Sequence, residues 1–158
     1  DKKELYLYCS EWALETYMKE LDKIIDMADM DFFEYFQEGR AVKGGQILQH
    51  QEHELLLFMQ NTANEPELKD ETLEMMEKVG NAYCRKLLRN SRKKGTVRAD
   101  IDDELLVLFF LGVTEKFKWR WLYKYIDFSK ETTDEQKNAM QREMEQMLEL
   151  LKKGMGGS

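Results

Sequence analysis

The most apolar segment of the sequence reads Leu105-Leu106-Val107-Leu108-Phe109-Phe110-Leu111-Gly112-Val113. As a helix, this segment is apolar on every face, so it cannot lie on a protein surface with one side in water. Burying its large side chains is worth about 10–25 kcal/mol as an upper bound, against ~1 kcal/mol for the cost of Gly112 inside a helix. We therefore predict a central helix that must be covered all round, with Gly112 at a close backbone approach.

A tight turn precedes this segment. Arg92, Lys93 and Lys94 place positive charge on the last turn of the preceding helix, and Gly95 follows at the position of a C-cap. Asp102 then offers a side-chain oxygen to the free N–H groups of the next helix. The sequence therefore predicts two helices joined by a turn that is too short to be a domain linker.

The composition favours one all-α domain. A chain of 158 residues with 42% hydrophobic and 35% charged residues fits a single globular domain, which we place at residues 1–153. Leu, Met, Glu, Lys and Gln are abundant, Val, Ile and Thr are scarce, and Pro66 is the only proline. Residues 154–158 carry no pattern and are predicted to form a flexible tail.

Charge and cysteine content narrow the possible partners. A net charge of −7 and a pI near 5.0 weigh against direct nucleic-acid binding by these residues. Cys9 and Cys84 are too few for a disulfide framework and fit buried thiols in a reducing compartment. No apolar run approaches the ~18 residues of a membrane span. We expect a soluble, cytoplasmic protein.

Helix signals recur along the chain. Asp1 with Glu4 predicts a capped helix that begins almost at the first residue, which suggests that the sequence continues upstream. Asp31 caps a short aromatic-rich helix over residues 32–37. Apolar spacing predicts further helices over residues 46–59 and from Pro66 to the turn at Gly95. Thr133 with Gln136 then caps the last helix.

The last two helices present a common problem of burial. A chain of this size has too few other helices to cover both the all-apolar segment and a methionine-rich stripe on the final helix. A second subunit is the simplest cover, with the last two helices of each chain forming a four-helix bundle of about 2,000 Å² total interface or more. The predicted dimer interface comprises Leu106, Phe110, Val113, Met140, Met144, Met147 and Leu151.

Signals for catalysis or metal binding are weak. His50 and His53 share a helix face, but the sequence has neither an HExxH motif nor a Glu-x-x-His pair. Cys9, Cys84, Ser10 and Ser91 have no signature of an activating base. We predict no enzyme activity, no metal and no cofactor. Glu115 follows the apolar segment closely enough to be partly buried, where it would need a partner or a ligand.

Two motifs resemble the tetracycline-repressor-like (TetR) family. Asp1-Lys2-Lys3-Glu4-Leu5-Tyr6 resembles the segment after the helix-turn-helix of that family. Gly95-Thr96-Val97-Arg98-Ala99-Asp100-Ile101-Asp102 resembles the Gly-x-hydrophobic-Arg-x-Asp-x-Asp turn before its first dimerisation helix. The resemblance spans nearly the whole chain and implies an antiparallel helical bundle like the C-terminal domain of the family. The helix-turn-helix itself is absent from these 158 residues.

The resemblance implies a regulatory domain. Members of the family are homodimeric repressors that enclose a pocket for a small effector and release operator DNA when it binds. We expect this chain to dimerise and to bind an apolar or cationic aromatic effector, and to reach DNA only through a helix-turn-helix. By pattern, the candidate pocket residues are Phe33, Phe36, Phe58, Tyr83, Glu115 and Trp119. The alternative is a helical homodimeric interaction module in which these rings only pack.

Overall fold

The computed structural model describes residues 1–39, 58, 61–62, 64–124 and 133–157. Within these ranges its helices are α1 (Lys2–Ala28), α2 (Phe32–Glu34) continued by a π-helical turn (Tyr35–Gly39), α3 (Lys69–Lys94), α4 (Asp103–Lys124) and α5 (Asp134–Met155). The described residues form no strand, only an isolated bridge between Val97 and Gly156. The prediction of an all-α fold is confirmed for this part of the chain. None of these helices combines the length and the apolar character needed to cross a bilayer.

Local capping signals set the helix boundaries. Asp1 and Glu4 form a capping box at the start of α1, and Asp31 and Glu34 form another at the start of α2. Gly95 ends α3 in the left-handed conformation, at φ 68°, which costs least for a residue without a Cβ. The Glu104 N–H donates to Asp102 Oδ1 at 2.9 Å, as the predicted cap requires.

The short helix α2 is fixed to the end of α3. The Phe32 N–H donates to Ser91 Oγ at 3.0 Å, and Ser91 Oγ donates to the Leu87 carbonyl at 2.7 Å. The side chain of Asn90 donates to the Met30 carbonyl at 2.8 Å. These buried or half-buried bonds hold the aromatic segment after α1 against the last turns of α3.

Ion pairs and close contacts define the helix directions. Lys3 pairs with Glu71 at 2.7 Å and Asp22 pairs with Lys86 at 3.2 Å, so α1 runs parallel to α3. By contrast, Gly80 of α3 lies against Leu111 of α4 while Arg85 pairs with Glu104, which makes α3 and α4 antiparallel. The same holds for α4 and α5, because Phe109 meets Gly154 and Arg120 pairs with Glu143. The expectation of an antiparallel bundle therefore does not extend to α1 and α3.

The core is a stack of aromatic rings between the helices. The Phe32 and Phe110 ring centroids lie 4.4 Å apart, those of Tyr35 and Tyr83 5.6 Å, and those of Phe36 and Phe117 5.9 Å. These are favourable distances for tilted ring pairs. Aliphatic side chains of α3, α4 and α5 complete the same buried cluster. The short aromatic segment after α1 is thus the centre of the fold.

Arg92 organises the turn between α3 and α4. Its guanidinium donates to the Arg98 carbonyl at 2.6 Å and to the Ile101 carbonyl at 2.7 Å. It also donates to Asp103 Oδ1 from Nη2 at 2.6 Å and from Nε at 2.9 Å. One side chain therefore satisfies backbone acceptors of the turn and binds the first residue of α4.

The chain end differs from the predicted flexible tail. Helix α5 continues through Gly154 and Met155, and Met155 is buried. The Arg98 N–H donates to the Met155 carbonyl at 3.0 Å, and the Gly157 N–H donates to the Thr96 carbonyl at 2.8 Å. Residues 154–157 are held by the distant α3–α4 turn, a contact that a local pattern cannot reveal. Ser158 lies outside the described residues.

Candidate functional site

Three of the predicted pocket residues lie in the aromatic core. Phe33, Phe36 and Tyr83 are all buried, and Phe36 and Tyr83 make the ring contacts with Phe117 and Tyr35 given above. The structure brings these residues together around α2 and α3. In the described part of the chain their rings face other side chains, which is the arrangement of a packed core.

The other three predicted pocket residues lie elsewhere. Phe58 is half-buried and stacks on Tyr6 of α1, with the ring centroids 6.1 Å apart and the planes inclined by 8°. Glu115 is half-buried on α4. Trp119 belongs to α4, but its side chain lies outside the described part of the structure. Phe58 is therefore placed against the first turns of α1, away from the aromatic core.

The predicted dimer residues face largely inward. Leu106, Phe110, Met144 and Leu151 are buried by the chain's own side chains, so their burial requires no second subunit. The remaining three, Val113, Met140 and Met147, are half-buried. Within one chain α4 keeps one apolar side in contact with solvent, so the predicted cover on every side would have to come from outside the chain.

That side presents an exposed apolar face on the last two helices. We define it as Leu105, Leu108, Phe109 and Leu150, which expose 57, 67, 43 and 61% of their surface. On α4 the three residues follow helical spacing, and Phe109 approaches Gly154 of α5 closely enough to join the two helices into one surface. Four large exposed apolar residues in a cluster are unusual for a surface that faces only water.

The sequence pattern could not identify this face. Every position from Leu105 to Leu111 is apolar, so periodicity within the segment does not separate the inner side from the outer one. Gly112 lies one turn beyond Leu108 on the exposed side, and no described atom lies within 4 Å of a Cβ built there. The predicted close approach at Gly112 is therefore not made within the described part of the chain.

A second feature is a buried hydroxyl without a partner on each of α1 and α3. Six polar side chains are buried in the described residues, and four of them have partners inside the chain. The hydroxyls of Ser10 on α1 and Thr72 on α3 are fully buried, and neither has a hydrogen-bond partner. Buried polar groups of this kind are rare in proteins.

Two surface grooves are lined by described residues. One, of about 580 Å³, lies between the α3–α4 turn and the chain end, along Gly95, Val97, Arg98 and Gly157. The other, of about 460 Å³, lies beside the first turn of α4. Neither groove is lined by a predicted pocket residue. Both are open to solvent, whereas ligand pockets usually enclose most of the ligand.

The charged side chains of the second groove neutralise each other. Arg85 forms a two-bond ion pair with Glu104, at 2.7 and 2.9 Å. This hydrogen bond lowers the pKa of the Glu104 carboxyl and raises the pKa of the Arg85 guanidinium. The pair explains both pKa shifts without a ligand.

Chemistry-bearing residues do not converge in the described ranges. These contain no group of three or more His, Cys, Asp or Glu side chains able to hold a metal ion. Cys84 is buried, Cys9 is half-buried, and neither forms a disulfide. His50 and His53 lie outside the described residues.

The exposed apolar face and the buried hydroxyls of Ser10 and Thr72 are features of the described residues that core packing does not account for, and so is the exposure of Leu5, Tyr8 and Trp12 on α1. Comparison of the chain with protein-family models, with curated proteins and with solved structures finds no match.

Proposed function

We propose that this chain is the ligand-sensing and dimerisation domain of a TetR-like transcriptional regulator that releases operator DNA when an apolar effector binds. The proposal rests on the two sequence motifs and on the order of the helices. The observation that carries it is the exposed apolar face on α4 and α5, the two helices that the resemblance assigns to the dimer.

A second copy of the chain is the natural occupant of this face. Leu105, Leu108, Phe109 and Leu150 lie on consecutive helices, so a two-fold axis beside them would bring the same patch of both copies together. The result is a four-helix bundle built from α4 and α5 of each chain. The interface residues then differ from those expected by pattern, since the inward side of each helix is already used in the core.

Helix α1 would transmit the signal. The resemblance makes it the connection to the DNA-binding part, and its first half exposes Leu5, Tyr8 and Trp12. Ion pairs at both ends of the α1–α3 seam join α1 to the rest of the domain. A ligand that favours one disposition of α1 would shift the separation of two recognition helices. The free energy by which the ligand changes DNA binding can be no larger than the difference between its binding free energies for the two states.

The state of association tests the dimer. We expect the purified domain to sediment as a dimer at micromolar concentration and Leu108→Glu to sediment as a monomer, because a symmetric interface would bury two uncompensated charges. Leu73→Glu is the matched control, since Leu73 is also exposed but lies on α3. A monomeric wild-type chain would contradict the proposal, as would equal association of both variants.

Thermal shift tests the sensor. Binding to the native state raises the melting temperature, by an amount that grows with the logarithm of the ligand concentration above its Kd. We expect apolar or cationic aromatic compounds to raise it, with the Leu73→Glu variant responding as the wild type does. A dimer whose melting temperature responds to none of a broad panel of such compounds would contradict the sensing role.

One observation favours the alternative, a homodimeric interaction module without a ligand. Phe33, Phe36 and Tyr83 are buried in a packed aromatic core, and solid packing leaves no room for an effector there. The module shares the exposed apolar face and therefore the prediction for Leu108→Glu. Thermal shift separates the two functions, since only the sensor responds to small molecules.

A further inference from the structure

The exposed apolar face has a depression at Gly112. This glycine lies inside α4 and is exposed, and a Cβ built on it would have no described atom within 4 Å. A glycine inside a helix is destabilising relative to alanine, and no contact within the described chain requires the missing side chain. Gly112 follows Leu105, Leu108 and Phe109 by seven, four and three residues, so it lies on the same side of α4.

Helix α5 forms one wall of this depression. Phe109 of α4 lies against Gly154 of α5, and the two helices are antiparallel. Leu150 comes four residues before Gly154, and Gly112 comes three residues after Phe109. Leu150 and Gly112 are therefore about 1.5 Å apart along the helix axes, at nearly the same level. The exposed side chain of Leu150 stands beside the space that Gly112 leaves open.

The exposed residues of α4 are spaced symmetrically. Leu105 and Gly112 lie equally far from the midpoint between Leu108 and Phe109. A two-fold axis through this midpoint and perpendicular to α4 makes the α4 helices of two copies antiparallel, and it brings Leu105 of each copy over Gly112 of the other. The Leu105 side chain, 57% exposed in one chain, then fills the depression.

The opposite orientation leaves the depression empty. A two-fold axis along α4 would make the two helices parallel and place each residue opposite its own copy. Gly112 would then face Gly112 across a void, and Leu105 would meet Leu105. The cores of stable interfaces are packed as densely as protein interiors, so the shape of the face favours the antiparallel orientation.

The charges at the two ends of the face favour the same orientation. Asp102 is exposed at the start of α4, where Asp103 and Glu104 already pair with arginines of α3. Lys116 is exposed one turn after Gly112, on the same side of the helix. In the antiparallel orientation Lys116 of one copy is within one residue of the level of Asp102 of the other. The parallel orientation would place like charges opposite each other, which weakens association.

We propose that two copies of the chain associate with their α4 helices antiparallel, about a two-fold axis between Leu108 and Phe109, so that Leu105 of each copy occupies the depression at Gly112 of the other. The inference rests on the proposed dimer and gives it one orientation and one register. Position 112 is a glycine in this arrangement because the partner's leucine takes the place of its side chain.

Disulfide cross-linking gives the first test. A disulfide needs Cα atoms within about 7 Å of each other. In this register Leu108 lies beside its own copy, whereas the two copies of Leu105, or of Gly112, are seven residues and thus about 10 Å apart along the axis. Under mild oxidation Leu108→Cys should cross-link with itself. Leu105→Cys and Gly112→Cys should each fail to do so alone but should cross-link when the two chains are mixed.

The wild-type chain, with Cys9 on α1 and Cys84 on α3, measures the background of this experiment. Self-cross-linking of Leu105→Cys or Gly112→Cys above this background would overturn the proposal. So would a Leu108→Cys chain that does not cross-link, or a mixture that cross-links no more than its two components do separately.

Filling the depression gives the second test. Gly112→Leu should raise the Kd of the dimer at least tenfold, because the new side chain occupies the space of the partner's Leu105. The monomer should stay folded, since leucine favours a helix more than glycine does and the position is open within one chain. Lys152→Leu is the matched control, because Lys152 is exposed on α5 outside the face, and its Kd should match that of the wild type. A Gly112→Leu dimer as tight as the wild type would overturn the proposal.

The proposed function and this inference fail in different ways. A wild-type dimer that Leu108→Glu dissociates, but whose cysteine variants cross-link in another pattern, keeps the proposed dimer and overturns the antiparallel register. A wild-type chain that is monomeric at micromolar concentration contradicts both.

Discussion

Gly80 of α3 lies so close to Leu111 of α4 that a Cβ built on the glycine would be 2.9 Å from Leu111 Cδ1. Real Cβ atoms essentially never approach another atom so closely, so any larger residue at position 80 must displace its neighbour. The two helices approach each other along this contact, so a side chain added at position 80 has to displace the end of the Leu111 side chain.

Enlarging Gly80 should separate these helices. We expect Gly80→Leu to lower the free energy of unfolding by about 1–3 kcal/mol, the usual cost of overpacking a fitted core. Denaturant unfolding at fixed protein concentration measures the change. Ala82→Leu, an exposed position on the same helix, should stay within about 0.5 kcal/mol of the wild type. Equal stability of the two variants would show that the layer tolerates the added volume.

Arg92 should be the residue of the α3–α4 turn that is least tolerant of substitution. Removing its guanidinium leaves the Arg98 and Ile101 carbonyls and the Asp103 carboxylate without their donor. We expect Arg92→Met to lower the free energy of unfolding by about 1–3 kcal/mol. Arg92→Lys should not retain the wild-type stability, because an ammonium group cannot make the several directed hydrogen bonds of a planar guanidinium.

Arg98→Met is the comparison for this prediction. The Arg98–Asp100 pair also has two short bonds, but it lies on the surface, where solvent screens its charges. Its loss should change the free energy of unfolding by about 0.5 kcal/mol or less. A larger decrease in the free energy of unfolding for Arg98→Met than for Arg92→Met would contradict the role of Arg92 in holding the turn.

The helix ends could be predicted because their signals are local. Asp1, Asp31 and Thr133 each lie three residues before a Glu or Gln, and in each case both bonds of the capping box are formed. Gly95 needs only its own backbone freedom to end α3. Such features depend on four or five consecutive residues, so a linear sequence contains all of their causes.

The exposed apolar face and the ordered chain end could not be predicted in the same way. Which side of Leu105–Leu111 faces solvent depends on where α3 and α2 pack, and a uniformly apolar stretch carries no periodicity to indicate it. Met155 is buried, and its carbonyl accepts the N–H of Arg98, more than fifty positions earlier.

Acid should weaken the contact between α2 and α3. Burial raises the pKa of the Glu34 carboxyl, but the bonds from Lys94 Nζ and from the Asp31 N–H outweigh it, so the pKa lies below its ordinary value of 4.5. A carboxyl with a lowered pKa in the folded state stabilises that state above its unfolded pKa. This contribution is lost as the pH falls through the folded pKa.

Glu34→Gln should therefore flatten the fall of unfolding free energy below about pH 4.5. The effect should be about 0.5 kcal/mol or less, because the Glu34 side chain is partly exposed and solvent screens the pair. Glu149→Gln removes a carboxylate from a fully exposed pair with Lys153 and serves as the control for charge. An unchanged acid limb in Glu34→Gln, measured by urea unfolding across this pH range, would contradict the assignment.

Met155 should contribute to stability although only three residues follow it in the sequence. Its side chain is buried, and its carbonyl accepts the Arg98 N–H. We expect Met155→Ala to lower the free energy of unfolding by about 2–5 kcal/mol, as for other large side chains removed from a core. Lys152→Ala, an exposed position one turn earlier, should leave it within about 0.5 kcal/mol. A Met155→Ala variant as stable as the wild type would contradict this prediction and favour the flexible tail expected from the sequence.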